Sequence, residues 1–270
     1  MSGNAKEPGV GRPWRLGVVS YLNSRPLIEG LENHDDIEIC FDVPSRLPEK
    51  LDSGEVDIAL VPVVDLLAPG RQWRIVSDAC IGCNGETLTV RVFSRIPPED
   101  VTVLHVDGDS HTSVMLATLI WREQYGTELE IRPFGGSETV EECQAVLLIG
   151  DKVVNHGLID YEIETDLGSA WKTLTSLPFV FAAWAAPVGL DTGNMAERLS
   201  AARDAGVAGA EMIAEDYGPG LGFPVRVAVR YLTQRLKFHL GPAQREGMAR
   251  FLELAKRHEM VPHNQELVYA

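Results

Sequence analysis

Leu16-Gly17-Val18-Val19-Ser20-Tyr21-Leu22-Asn23-Ser24-Arg25-Pro26-Leu27 is the stretch on which the fold turns. Leu16 to Val19 is a short apolar run, the mark of a buried strand. Residues 28–31 are apolar-periodic and read as a helix, with Pro26 at or near its first turn. Tyr21 and Asn23 therefore stand on a strand-to-helix turn, at the carboxyl end of a strand. In open α/β sheets ligands bind at such ends. Asn23 either caps the helix or faces a ligand.

Working outward, the pattern repeats. Residues 37–43 alternate as a second strand would and stop at Pro44. Ser45 is placed to cap a helix over 46–53, closed by Gly54. Residues 56–63 read as a third strand, followed by a turn and a short helix through Leu67. This β-α-β-α-β order predicts parallel pairing with right-handed crossovers. Further strands are expected at 74–77, 88–93, 101–106, 129–134 and 145–149, with a loop over 79–87. Helices are expected at 114–125, closed by Gly126, and at 138–143. Residues 162–166 open a loop, and 170–175 and 179–186 follow. The remainder reads as helices at 196–217, 225–240 and 242–257, the last two separated by Gly241-Pro242. The expected class is α/β with two lobes. Residues 13–105 and 187–270 form the first, 106–186 the second, and 1–12 a disordered tail. The C-terminal helices pack on the first lobe, and a ligand sits in the cleft between the two.

Composition narrows the partners. The 270 residues carry a formal charge of 24 − 39 = −15. So acidic a chain is poorly suited to nucleic acid or to an anionic membrane surface. An anionic substrate would have to be attracted locally, by backbone N–H groups, hydroxyls or Arg. Residues 1–12 lack the apolar core of a signal peptide, and no run of 18 apolar residues exists. A cytoplasmic protein is expected. Its four cysteines, Cys40, Cys80, Cys83 and Cys143, are expected to be free thiols. Cys80-Ile-Gly-Cys83 has C-x-x-C spacing, but no second pair follows to complete a zinc site.

Two more turns carry candidate chemistry. Ser110-His111-Thr112-Ser113 opens a helix. Free helix N–H groups with three hydroxyls make a local anion site, or a plain cap with ordinary hydroxyls. Gly150-Asp151 ends a buried strand, where Asp151 either orients a substrate hydroxyl or caps the next segment. His111 is a conceivable general base, being the one histidine in a candidate turn. G-x-S-x-G, P-loop and G-x-G-x-x-G patterns are absent from the sequence. Gly218-Pro219-Gly220-Leu221-Gly222 lies between expected helices and reads as a connector.

Taken together, residues 17–27 resemble the opening signature of the chorismate dehydratases of the futalosine route to menaquinone. The likeness continues in order through Gly54-Glu55-Val56-Asp57-Ile58-Ala59, Ser110-His111-Thr112-Ser113, Leu147-Leu148-Ile149-Gly150-Asp151, Asp166-Leu167-Gly168-Ser169-Ala170-Trp171 and Leu177-Pro178-Phe179-Val180-Phe181-Ala182-Ala183-Trp184. It spans about residues 15 to 260. It implies a type II periplasmic-binding-protein-like fold and dehydration of chorismate to 3-[(1-carboxyvinyl)oxy]benzoate, with no metal or organic cofactor. The implied partner is that one small molecule, with neither nucleic acid nor membrane, bound by a monomer or homodimer. Carried over by residue, Asn23 is the polar group at the reacting ring and Tyr21 lines the same wall. Ser110, Thr112 and Ser113 hold a substrate carboxylate, and Gly150 and Asp151 form the hydroxyl side. The loop 82–89 departs from the family, where Ser-Asp-Gly and an apolar residue are expected. Cys83 and Asn84 stand there instead, leaving Asn84 and Thr87 as its polar substrate contacts without a carboxylate. An amide is essentially non-basic, so Asn23 would orient the substrate while the proton leaves to another group, such as a carboxylate of chorismate. The other readings are the dihydroxynaphthoate-forming enzyme of the same pathway and fold, and a non-catalytic carboxylate-binding protein.

Overall fold

In the computed structural model, residues 8–9, 11–133, 142–155 and 161–270 are described. The chain begins with β1 (Trp14–Val19), whose apolar side chains are nearly all buried. β2 (Ile37–Asp42), α1 (Leu47–Asp52), β3 (Ile58–Pro62) and β4 (Trp73–Cys83) follow. After a short crossover come β5 (Val90–Ser94), β6 (Val103–Val106), α2 (His111–Tyr125), β7 (Glu130–Pro133) and β8 (Ala145–Ile149). Then come α3 (Lys152–Asn155), β9 (Ile163–Asp166) and α4 (Leu167–Thr175). The chain returns through β10 (Phe179–Pro187), α5 (Met195–Ala208), α6 (Ala210–Tyr217), α7 (Val225–Arg230), β11 (Leu236–His239) and α8 (Pro242–Arg257).

Two sheets result. One has the order β11-β4-β10-β3-β1-β2, the other β7-β6-β8-β5-β9. β1 pairs in parallel with both β2 and β3, as the alternating pattern predicts. The sheets divide the chain elsewhere than at 105/106 and 186/187. β5 and β6 belong to the second sheet, and β10 to the first. The chain therefore crosses between lobes through residues 84–89, and again between α4 and β10.

Several local expectations are corrected. Residues 28–31 are not a helix. A 3-10 turn spans Leu22–Leu27 and another spans Leu31–Asn33, with left-handed Gly30 breaking the path between them. Ser45 is not a cap, because Pro44–Arg46 is itself a 3-10 turn and α1 starts after it. The expected loop from residue 79 is strand as far as Cys83. Gly82, which read as a loop residue, is there because a Cβ would lie 2.7 Å from the Phe179 carbonyl of the paired strand. Residues 163–166 are β9, paired with β5. The helix expected over 196–217 breaks at Gly209.

The helix expected over 225–240 stops at Arg230, continues as a π-helical turn, Tyr231–Arg235, and becomes β11. Leu236 and Phe238 are buried while Lys237 and His239 face outward, the period-2 signature of a strand. The helix expected over 138–143 and most of the expected tail lie outside the described residues. At the described end of that tail, Arg12 grips buried Asp57 through two 2.6 Å bonds. Among the described residues, no helix is long and apolar enough to cross a membrane.

Candidate functional site

The first wall is the turn after β1. Tyr21 is its extended N-cap residue, and the cap makes no side-chain hydrogen bond. Ser24 closes the turn, its hydroxyl donating to the Val19 carbonyl at 2.5 Å. Asn23 caps nothing. It lines a cavity between the lobes, and its Oδ1 is buried without a hydrogen-bond partner. That removes the capping alternative for this residue.

The second wall is the start of α2. Ser110 is the N-cap, accepting from the Ser113 N–H at 3.2 Å and donating to the Ser113 hydroxyl at 3.0 Å. Both serines line the cavity. Positions i and i+3 share a helix face. Thr112 lies off that face, and its hydroxyl accepts from the Val64 N–H at 3.4 Å instead. Two of the three expected hydroxyls thus meet the cavity, and the third ties α2 to the first lobe.

The third wall is the end of β8. Gly150 lines the cavity with φ +66, and the Tyr21 ring rests against it. Asp151 does not line it. Its carboxylate accepts from the Leu22 N–H at 3.2 and 3.3 Å, holding the Asn23 turn from the opposite lobe. Burial pushes the Asp151 carboxyl up to about 6, against the lowering effect of the Leu22 N–H and of Arg25. Tyr21 also crosses between lobes, donating from its hydroxyl to Asp109 at 2.9 Å. Asp109 and Asp107 are joined by the Lys152 ammonium.

The crossover supplies Thr87 and Thr89, both lining the cavity. Asn84 is exposed and outside it. The crossover is pinned by Asp166, whose carboxylate accepts from the Thr87 N–H, Leu88 N–H, Thr87 hydroxyl and Ser169 N–H, all at 3.0 Å. These bonds offset the left-handed conformation of Leu88, at φ 73, which a side chain of that bulk rarely adopts. The Asp-Leu-Gly-x-x-Trp block is therefore a support for the site. It lies outside the cavity itself.

Two other candidates leave the site. His111 turns outward, its Nδ1 2.9 Å from Asp65 and its side chain half exposed; the hydrogen bond to Asp65 raises its pKa. Cys80 and Cys83 lie in β4, and burial pushes both thiols up to about 12, so neither is a thiolate near neutral pH. Among the described residues no group of three His, Cys, Asp or Glu side chains is placed to hold a metal ion.

The free space within the cavity is about 50 Å³, below the roughly 300–1,000 Å³ usual for small-molecule sites. Its remaining walls are mainly apolar, including Pro62, Ile81, Ile149, Phe181 and Leu236. None of its described lining residues is cationic. An anion held here must therefore be met by hydroxyls and by the N-terminal N–H groups of α2. Tyr231 also lines the cavity and was missed by the sequence reading. The helix expected over 225–240 hid it, since the π turn that starts at Tyr231 leaves no simple periodic signal.

Comparison with known proteins is consistent along the whole chain. The profile of a family described as menaquinone biosynthesis matches residues 14–257. A protein of Thermus thermophilus named chorismate dehydratase is 28% identical over 259 residues, covering 90% of this chain and 95% of that one. Among solved structures, the alkanesulfonate-binding protein SsuA of Xanthomonas axonopodis pv. citri superposes with a TM-score of 0.70 at 14% identity, covering 98% of this chain and all of that one. The periplasmic aliphatic sulphonate binding protein SsuA of Escherichia coli gives 0.60 at 14% identity, covering 94% and 95%. At such identities the likeness is one of fold, and the two-lobed architecture is that of the periplasmic binding proteins.

Proposed function

The chain belongs to the menaquinone-biosynthesis family, and from that premise we propose that it is a chorismate dehydratase, a hydro-lyase forming 3-[(1-carboxyvinyl)oxy]benzoate and water. The observation that carries the reading is the placement of Asn23. Its amide lines a largely apolar cavity, with Oδ1 buried and unpaired, in the same pocket as the Ser110–Ser113 hydroxyl pair. Chorismate must lose one ring proton and the neighbouring hydroxyl, and aromatisation drives the loss. Such a reaction needs positioning and exclusion of water more than a strong protein base.

Ser110 and Ser113, at the N-terminus of α2, receive one carboxylate. Asn23 orients the leaving hydroxyl. The cavity's described lining includes no carboxylate and no imidazole, which suits a proton taken up by a carboxylate of the substrate. The carboxylate takes that proton from the ring, the C–O bond breaks, and the resulting carboxylic acid passes the proton to the leaving hydroxyl, which departs as water. Thr87 and Gly150 close the sides, while Asp151 and Thr112 act through the backbone groups they hold. A cytoplasmic setting agrees with the thiols of Cys40, Cys80 and Cys83, none of which is in a disulfide. Purified protein incubated with chorismate, with and without EDTA, tests the reading by mass spectrometry. Loss of one water is expected in both arms. No loss would refute the dehydratase reading, and loss abolished by EDTA would refute the metal-independent route.

A further inference from the structure

Asp109 ends the turn Asp107-Gly108-Asp109 and stands one residue before Ser110, the N-cap of α2. Its N–H donates to the Asp107 carboxylate at 3.0 Å, and Gly108 takes φ +77 where the chain bends. Asp109 does not line the cavity, yet it reaches across the cleft twice. Its Oδ2 accepts from the Tyr21 hydroxyl at 2.9 Å, in the turn that carries Asn23. Its main-chain carbonyl accepts from the Ser45 N–H at 3.1 Å, next to Pro44, another residue of the cavity wall. On the second-lobe side the Lys152 ammonium meets the same Oδ2 and lies 2.9 Å from Asp107. Burial first, and then the carboxylates of Asp109, Asp107 and Asp151, keep the Tyr21 hydroxyl protonated as the donor.

A partly exposed ion pair such as Lys152–Asp109 ordinarily contributes little. Its place in the cleft gives it another use. With about 50 Å³ free in the cavity, the lobes must part to admit a ligand and meet again around it. Asn23 belongs to the first lobe and the Ser110–Ser113 pair to the second. Their separation is therefore set by the contacts at which the lobes meet. Asp151 ties the Asn23 turn to the end of β8, through the Leu22 N–H. Thr112 and His111 tie α2 to Val64 and Asp65, away from that turn. Asp109 is what ties the Asn23 turn to α2. Tyr21 stands two residues before Asn23 and Asp109 one before Ser110, so one hydrogen bond links the two polar halves of the site. We infer that Asp109 is a positioning residue that, through Tyr21 and Ser45, sets the spacing between Asn23 and the Ser110–Ser113 hydroxyls when the lobes close.

The inference rests on the dehydratase reading for its kinetics, while its geometry can be tested without it. Tyr21→Phe keeps the ring against Gly150 and removes only the hydroxyl. In the chorismate assay this variant should lower kcat about 10- to 100-fold, the scale of a small misplacement at a reacting centre. Asp109→Ala should fall at least as far. Asp109→Asn, whose amide oxygen can still accept from Tyr21, should recover most of the lost rate. The double variant Tyr21→Phe/Asp109→Ala should be no slower than Asp109→Ala, because the two side chains act as a pair. A merely structural role would lower the denaturation midpoint and leave kcat of the folded variants at the wild-type level. That outcome, or additive losses in the double variant, would overturn the inference while leaving the dehydratase reading intact. A wild-type protein inactive on chorismate would instead overturn that reading, and crystal structures of wild type and Tyr21→Phe would still decide the role of Asp109. The separation of Asn23 from Ser110 should widen or become heterogeneous in the variant; a separation unchanged from wild type overturns the inference, whatever the substrate.

Discussion

The Tyr21 ring fills the space that a side chain on Gly150 would need. A Cβ built there falls 2.7 Å from both Cδ2 and Cε2 of Tyr21. One residue belongs to the turn after β1 in the first lobe, the other to the end of β8 in the second. Gly150 also holds φ +66, a conformation that L side chains rarely adopt. Gly150→Ala should thus cost roughly 1–3 kcal/mol of stability through backbone strain alone. The displaced Tyr21 should also carry the Asn23 turn with it, so kcat/KM should fall. Thermal denaturation and steady-state kinetics on the same preparation check both effects.

Asn23 distinguishes an orienting amide from a base. Asn23→Ala should lower kcat about 100-fold or more, the scale of losing one aligned polar group at a reacting centre, with melting temperature little changed because the side chain caps nothing. Asn23→Asp should also lose activity, since it puts an anion beside an anionic substrate. A kcat retained or raised in Asn23→Asp would show that a base serves better there, and the orienting role would have to be abandoned.

The parts of the site that sequence exposed share a local signature. β1, β3 and β8 are short apolar runs that end in turn residues, so Tyr21, Asn23 and Gly150 could be placed at strand ends from residues beside them. The three hydroxyls of Ser110-His111-Thr112-Ser113 read as one site in the sequence, although helical spacing sets only positions 110 and 113 on one face, and the structure separates Thr112 from them. Tyr231 was not legible. It reaches the cavity only through the tertiary fold, and the short β11 that follows it carries two buried residues, too few for alternation to outweigh the helical pattern before it. β4 was hidden for another reason. Ala79, the two cysteines and Gly82 mimic a loop, yet they stand in a strand paired on both sides, and Gly82 is small because a Cβ there would meet the Phe179 carbonyl.

Asp151 should give stability a distinct pH dependence. Its carboxyl titrates near 6 in the folded protein, above its ordinary value near 4. A raised folded-state pKa means that folding favours the protonated form. The contribution is full below the unfolded-state value and is lost as pH rises through about 6. The loss amounts to roughly 2–3 kcal/mol from this residue. Asp151→Asn keeps an oxygen to accept from the Leu22 N–H and carries no charge. The variant should lack this fall in stability between about pH 4 and 6 and should be at least as stable as wild type at pH 8. Denaturant titrations at stepped pH measure the difference; parallel profiles for the two proteins would contradict the assignment.

Ser113 and Thr112 are neighbours with opposite expected consequences. The Ser113 hydroxyl lines the cavity and pairs with the N-cap Ser110. If it receives a substrate carboxylate, its loss should remove a hydrogen bond to a charged group, about 1.5–3 kcal/mol. Ser113→Ala should then raise KM about 10- to 100-fold, with little change in folding. The Thr112 hydroxyl accepts from the buried Val64 N–H and does not line the cavity. Thr112→Val keeps the side-chain shape but leaves that N–H without a partner, a penalty of about 1–3 kcal/mol in stability. Its KM should stay near wild type. Kinetics and denaturation of both variants separate the roles: a KM defect in Thr112→Val equal to that in Ser113→Ala would mean that all three hydroxyls bind the substrate, and that α2 turns on its axis when the cavity is filled.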